Sequence, residues 1–240
     1  MKHGLMLFTC CVAGLAMAMP ALGVEPCEAC GPGPDWINDC GNPGDDILPL
    51  TKAEIGIYLA SDCSDEPNNF VLHGSATIHR AGSGGTDTIQ TEITAMNLAG
   101  GGFTLLAGNG QGTLTQPSNG TIVEQADDNT KGDSSFDVFF EATVPGIGTV
   151  WNHDPLVVTA VITCVPPQAE YIHPQGQCVP LYDQRDPGGG TIVAYLGDAK
   201  HVTWPVPAVS QWGVVGMILV ILAAGTIMLY RARTRGRSVA

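Results

Sequence analysis

Six cysteines carry the clearest chemistry in this chain: Cys27, Cys30, Cys40, Cys63, Cys164 and Cys178. Two more, Cys10 and Cys11, sit inside an apolar N-terminal run. An even set outside that run reads as a disulfide framework, with its connectivity open. Cys164 and Cys178 flank a proline-containing loop. Joining them would close about 15 residues, worth roughly 3 kcal/mol in the chain-entropy model. The competing reading is a zinc site from Cys27-x-x-Cys30 with Cys40 and Cys63. That spacing suits zinc, but the second C-x-x-C of a typical ligand set is absent.

The other reactive side chains give less. His73 and His79 share a face if residues 70–79 are a strand, but six residues at about 3.3 Å each put them roughly 20 Å apart. One metal cannot join them. Asp127, Asp128 and Asp133, and likewise Asp62, Asp65 and Glu66, cluster enough for a loose calcium site. The first group is no EF-hand, because Lys131 occupies a ligand position and Val138 stands where the loop needs glutamate. G-x-S-x-G, H-E-x-x-H and the phosphate-binding G-x-x-x-x-G-K-[ST] are absent. Gly108–Gly112 precedes a strand-like run, so it reads as a hairpin and not as a dinucleotide loop. No catalytic residue and no metal ligand are assigned, and calcium is the one cofactor with any support.

Charge bounds the partners. The formal net charge is −13, and charged residues are 14% of the chain. All 23 acidic residues lie between Glu25 and Asp198, and only four of the ten basic residues share that stretch. Nucleic acid is thereby excluded as a partner, since neutralising phosphates requires clustered Lys and Arg. A hydrophobic fraction of 44% implies a folded body.

The elements that would position these groups read as strands. Phe136, Val138, Phe140, Ala142 and Val144 alternate with polar residues. So do Leu156, Val158, Ala160, Ile162 and Cys164, and Ile55, Ile57 and Leu59. Period two means one buried face and one wet face. Less regular candidates are 70–79, 88–97, 103–107, 112–116, 121–125 and 191–196. Turn signals separate them: Gly82-Ser83-Gly84-Gly85, Asn109-Gly110, Asn119-Gly120, Lys131-Gly132-Asp133 and Gly188-Gly189-Gly190. About nine short strands imply a mainly β domain over 47–205, an antiparallel sandwich or barrel. Residues 24–46, rich in Cys, Gly and Pro, read as an irregular, stapled lead-in.

The two ends read as addresses. Lys2 and His3, an apolar run from Leu5 to Met19, and then Ala21 and Gly23 have the order of a signal peptide over 1–23. Near the other end, an uncharged run over 214–230 precedes Arg231, Arg233, Arg235 and Arg237. Its length covers roughly 26 Å as a helix, just enough to span a bilayer. The arginines keep the tail cytoplasmic and put the body outside.

Immediately before that run stand Val206, Pro207, Ala208, Val209, Ser210, Gln211, Trp212 and Gly213. Motif, apolar run and basic cluster together over 206–240 resemble the tripartite C-terminal sorting signals of bacterial envelope proteins. The resemblance is to the class reading I-P-T-L-S-Q-W-G, known as IPTL-CTERM. Pro207, Ser210, Gln211, Trp212 and Gly213 match, and Ala208 departs from the threonine. The resemblance implies recognition and cutting near the motif by an exosortase-like membrane transpeptidase. The expectation is an exported, non-catalytic envelope protein, acting in surface structure, adhesion or matrix association. The alternatives are a surface hydrolase using a carboxylate pair and a calcium-binding module.

Overall fold

The computed structural model describes residues 27–204. The expected signal peptide, sorting motif, apolar span and arginine cluster lie outside the described residues. Among the described residues, no helix is long and apolar enough to cross a membrane.

Among the described residues, twelve β segments occur: β1 (Gly44–Tyr58), β2 (Asn68–Arg80), β3 (Thr88–Gly100), β4 (Phe103–Ala107), β5 (Ser118–Gln125), β6 (Asp128–Val138), β7 (Phe140–Val144), β8 (Gly148–Asn152), β9 (Leu156–Ile162), β10 (Glu170–Ile172), β11 (Val179–Tyr182) and β12 (Ile192–Trp204). Every pairing is antiparallel. β4 and β5 pair with successive stretches of β3, so they are two halves of one stave. The same logic joins β6 to β7, whose partners are β5 and β4. It joins β8 to β9, and β10 to β11, which both lie along β12. The twelve segments are therefore eight staves in chain order, and β1 pairs with β12 to close the ring. Of the two architectures expected, the chain adopts the barrel, an up-and-down one of eight staves.

One wall is made of continuous strands (β1, β2, β3 and β12) and the other of interrupted ones. The interruptions have identifiable chemistry. The β6–β7 stave breaks at Phe139, and buried side chains replace the missing ladder. Ser118 Oγ donates to the Phe139 carbonyl oxygen and accepts from the Phe139 N–H. Asn152 Oδ1 accepts from the Phe140 N–H at 2.7 Å, while its Nδ2 donates to the carbonyl oxygens of Val138 and Asp154.

Inward residues follow the expected alternation: Phe136, Val138, Phe140, Ala142 and Val144 are buried, as are Leu156, Val158 and Ile162. Leu59 departs from it and is exposed, because β1 ends at Tyr58. Residues 112–116 form a turn and not a strand. Two glycines read as turn signals lie inside strands instead. A Cβ at Gly120 would sit 2.5 Å from the Phe136 ring. One at Gly132 would sit 2.7 Å from Ile37 Cδ1. Both are glycine because the lumen is filled at that point, not because the chain turns there. The lead-in ends at residue 43, since β1 already starts at Gly44.

Replacing Asn152 by Leu strands the Phe140 N–H and the Val138 carbonyl in a dry wall, at about 1–2 kcal/mol for each unmade bond. The expected result is a loss of roughly 2–4 kcal/mol, or about 5–12 °C in melting temperature for a body of this size. Asn119→Ala, on the exposed face of β5, should shift it by no more than about 2 °C. Calorimetry on the two variants checks this.

Candidate functional site, a disulfide-locked plug over a polar barrel end

Residues 27–43 cross the barrel end at which β1 begins and β12 finishes. Trp36 and Ile37 are buried there, Ile37 completely. The space left by Gly132 receives the Ile37 side chain, with the Trp36 ring 3.3 Å from the same point. The plug is fastened by several independent ties. Cys30–Cys40 closes it on itself, and Cys27–Cys164 joins it to the β9–β10 loop. Backbone bonds run from the Cys27 N–H to the Pro166 oxygen and between Cys30 and Val165 in both directions. Ser83 Oγ donates to the Asn38 carbonyl, and Asn129 Nδ2 donates to the Asp35 carboxylate.

All six candidate cysteines are thus paired. Cys164 and Cys178 do not join each other, for Cys178 is bonded to Cys63. That third bridge ties the β1–β2 loop to the β10–β11 connection, and it takes Cys63 away from Cys27, Cys30 and Cys40. Among the described residues, no group of three or more His, Cys, Asp or Glu side chains converges as metal ligands would. The clustered acids act in turns instead. Asp62 accepts from the Ser64 N–H and hydroxyl, and Asp65 accepts from the N–H groups of Leu59 and Ala60. Asp128 accepts from Thr130 and pairs with Lys131, which holds its carboxyl down to about 2. His73 and His79 lie on the outer face and are exposed.

Beneath the plug the lumen is polar, which sequence reasoning did not foresee. Arg80 and Asp46 are both buried and paired, with Nε 3.2 Å from Oδ2. Arg80 Nη1 also donates to the Asn42 carbonyl and toward the Cys40 sulfur. The guanidinium thereby joins plug to wall. Burial pushes the Asp46 carboxyl above its ordinary value, against the lowering by the Arg80 hydrogen bond and charge. Tyr171 shares a hydrogen bond with Ser134 at 3.0 Å and sits edge-on to Phe136. Burial pushes its hydroxyl up to about 12.

His201 lies opposite Tyr171 in register. Burial pushes its imidazole down to about 4, so it is neutral at pH 7. Its Nε2, with Thr51 Oγ1 and Thr91 Oγ1, is buried without a hydrogen-bond partner. The available sequence signal was parity. Arg80 follows Ala76 and Ile78 on one face, and Asp46 precedes Leu48, so each puts a charge in line with an apolar set.

No family model matches the chain, and no curated protein matches it. A solved structure, DynF from the dynemicin biosynthesis pathway of Micromonospora chersina, is similar at 19% identity and a TM-score of 0.60. The match covers 78% of this chain and 88% of DynF. Identity at that level is a likeness of fold.

Two outcomes follow from the plug. Replacing Cys27 and Cys164 together by Ser should cost about 2–5 kcal/mol and accelerate hydrogen exchange at residues 35–40 well before the barrel strands. Unfolded histidine takes up its proton near pH 6.5, whereas His201 holds off until about 4. Between those values the unfolded chain binds more protons, so stability is lost as pH falls through that window. Denaturant unfolding at pH 7 and pH 5 should show about 1–2 kcal/mol of loss from this source, and His201→Gln should lack that part of it.

Proposed function

We propose that the chain is an exported, non-catalytic barrel protein of a bacterial envelope. Its C-terminal segment tethers it outside the cytoplasmic membrane and delivers it to an exosortase-like transpeptidase. The observation that carries this reading is the pairing of all six body cysteines in three disulfides. Such frameworks belong to oxidising compartments. Two of the bridges lock the lead-in that follows the expected signal peptide.

The non-catalytic part rests on how the carboxylates are used. Asp62, Asp65 and Asp128 hold turns, and Asp46 holds the plug through Arg80. Glu141 accepts from the Thr113 N–H and hydroxyl and from the Trp151 indole, fixing loop 108–117 to the wall. Groups committed in this way serve structure, which fits a surface, adhesion or matrix role better than hydrolysis. The partner in that reading is a cell-surface or matrix component.

Mass spectrometry of the native protein from cell fractions tests it. The expected mature chain starts near Val24, carries no free thiol on the six cysteines and lacks the apolar run. Its body should be cut by protease added to spheroplasts. Replacing Pro207 or Trp212 by Ala should leave insertion intact and let a larger, membrane-bound precursor accumulate. Free thiols or a protected body would overturn the export reading. A mature wild-type chain that keeps residues 214–240 would reduce the segment to an anchor.

A further inference from the structure

The three disulfides stand in different electrostatic surroundings. Among the described residues, Lys52, Lys131, Arg185 and Lys200 pair with Glu54, Asp128, Asp186 and Glu170. Arg80 is the cation that donates to cysteine sulfur. Its Nη1 lies 3.5 Å from Cys40 Sγ and 3.7 Å from Cys30 Sγ. Its Nε and Nη2 face the Asp46 carboxylate at 3.2 and 3.5 Å. One N–H of Nη1 serves the Asn42 carbonyl, which leaves the other for the two sulfurs. Cys63, by contrast, lies in an acidic turn, where Asp62 and Asp65 both accept from backbone N–H groups.

The two sulfurs beside Arg80 are not equivalent. Cys40 is buried, whereas Cys30 is part-exposed. An incoming thiolate therefore reaches Cys30, and the sulfur that must leave is Cys40, the one nearer the guanidinium. A cation beside a sulfur stabilises its thiolate, and a more stable thiolate leaves faster. This bridge is also the one the fold needs least. Its cysteines are 10 residues apart, against 115 and 137 for the other two, and a short loop restricts the unfolded chain least. With it open, Cys27–Cys164 and the backbone bonds between Cys30 and Val165 still hold the lead-in to the barrel.

We propose that Cys30–Cys40 is a redox-active site that exchanges with dithiols, while the other two bridges are structural. One thiolate of the dithiol attacks Cys30 Sγ and forms a mixed disulfide with it. The Cys30–Cys40 bond breaks, and its electron pair stays on Cys40 Sγ beside Arg80. The second thiolate of the dithiol then attacks its partner sulfur, which releases Cys30 and closes the reductant's own disulfide. Two electrons and two protons pass from the dithiol to the cystine. The opened loop carries Trp36 and Ile37, so the reaction loosens the cover of the barrel mouth without detaching it. The inference rests on the surroundings of the sulfurs and not on where in the cell the barrel resides.

The test starts from the oxidised full chain in detergent, so its failure would leave the export reading standing. Dithiothreitol is added without denaturant, samples are quenched with iodoacetamide, and alkylated cysteines are mapped by mass spectrometry. Cys30 and Cys40 should be labelled together, about tenfold or more ahead of the other four. Hydrogen exchange in that partly reduced form should accelerate at residues 35–40 and stay slow along the β1–β12 ladder. Arg80→Met removes the cation together with a tie between plug and wall. Loss of the cation should slow reduction of Cys30–Cys40 by about threefold or more, whereas a tie alone would, on removal, expose the bridge and speed it. Arg80→Lys keeps a charge there and should recover part of the rate. Faster reduction in Arg80→Met would overturn the proposal. So would simultaneous reduction of all three bridges in the unmutated chain, a result that needs no variant to fold.

Discussion

The ladder between β1 and β12 is the constraint on which the rest of the structure depends. It runs from Leu50 opposite Trp204 to Tyr58 opposite Tyr195, with one irregularity at Gly56 and Ile57. It joins the first and last staves of the barrel, about 150 residues apart in the chain. Without it the meander is an open sheet with two long edges, one apolar face and no reason to curl. With it, every inward side chain meets others across a closed lumen. The end of that lumen is then a mouth that something must cover. The plug, its disulfides and the polar cluster below it are consequences of that closure.

The covering has its own energetic logic. Trp36 and Ile37 supply apolar surface that packs into the mouth, and Gly132 leaves the room for it. The Arg80–Asp46 pair costs desolvation, and burial alone rarely makes such a pair stabilising. Its geometry instead gives position. Arg80 has bonds on the wall and on the plug at once, so the lead-in can seat in one register only. The opposite half of the lumen, around Phe103, Phe140, Leu181 and Leu196, is apolar and completely buried. The barrel is therefore dry and solid at one end and hydrogen-bonded at the other.

How much of this was legible depended on the range of the signal. Strands with one wet face announced themselves, as in the set from Phe136 to Val144, because burial there alternates residue by residue. The barrel's closure was not legible, since nothing local distinguishes the last stave of a ring from the edge of a sandwich. Gly120 and Gly132 looked like turns because a glycine required by a neighbour's bulk has the same letter as one required by a positive φ. Asn152 and Ser118 carried no pattern at all, and their role exists only beside the break at Phe139. The cysteines were recognisable as a framework, but partners 115 and 137 residues apart cannot be matched by spacing. The plug was invisible for the same reason, as its fit is to residues nearly a hundred positions away.

The long reach of two of those bridges bears on how the molecule is made. On the export route proposed above, the chain would present Cys27, Cys30, Cys40 and Cys63 first, with the partners of Cys27 and Cys63 still to come. The early thiols therefore meet only one correct choice, Cys30 with Cys40, and several incorrect ones. Oxidation in order of emergence would leave mismatched pairs, which thiol–disulfide exchange must reshuffle once Cys164 and Cys178 arrive. On the proposed export route, reaching the three native pairs therefore takes thiol–disulfide exchange as well as oxidation.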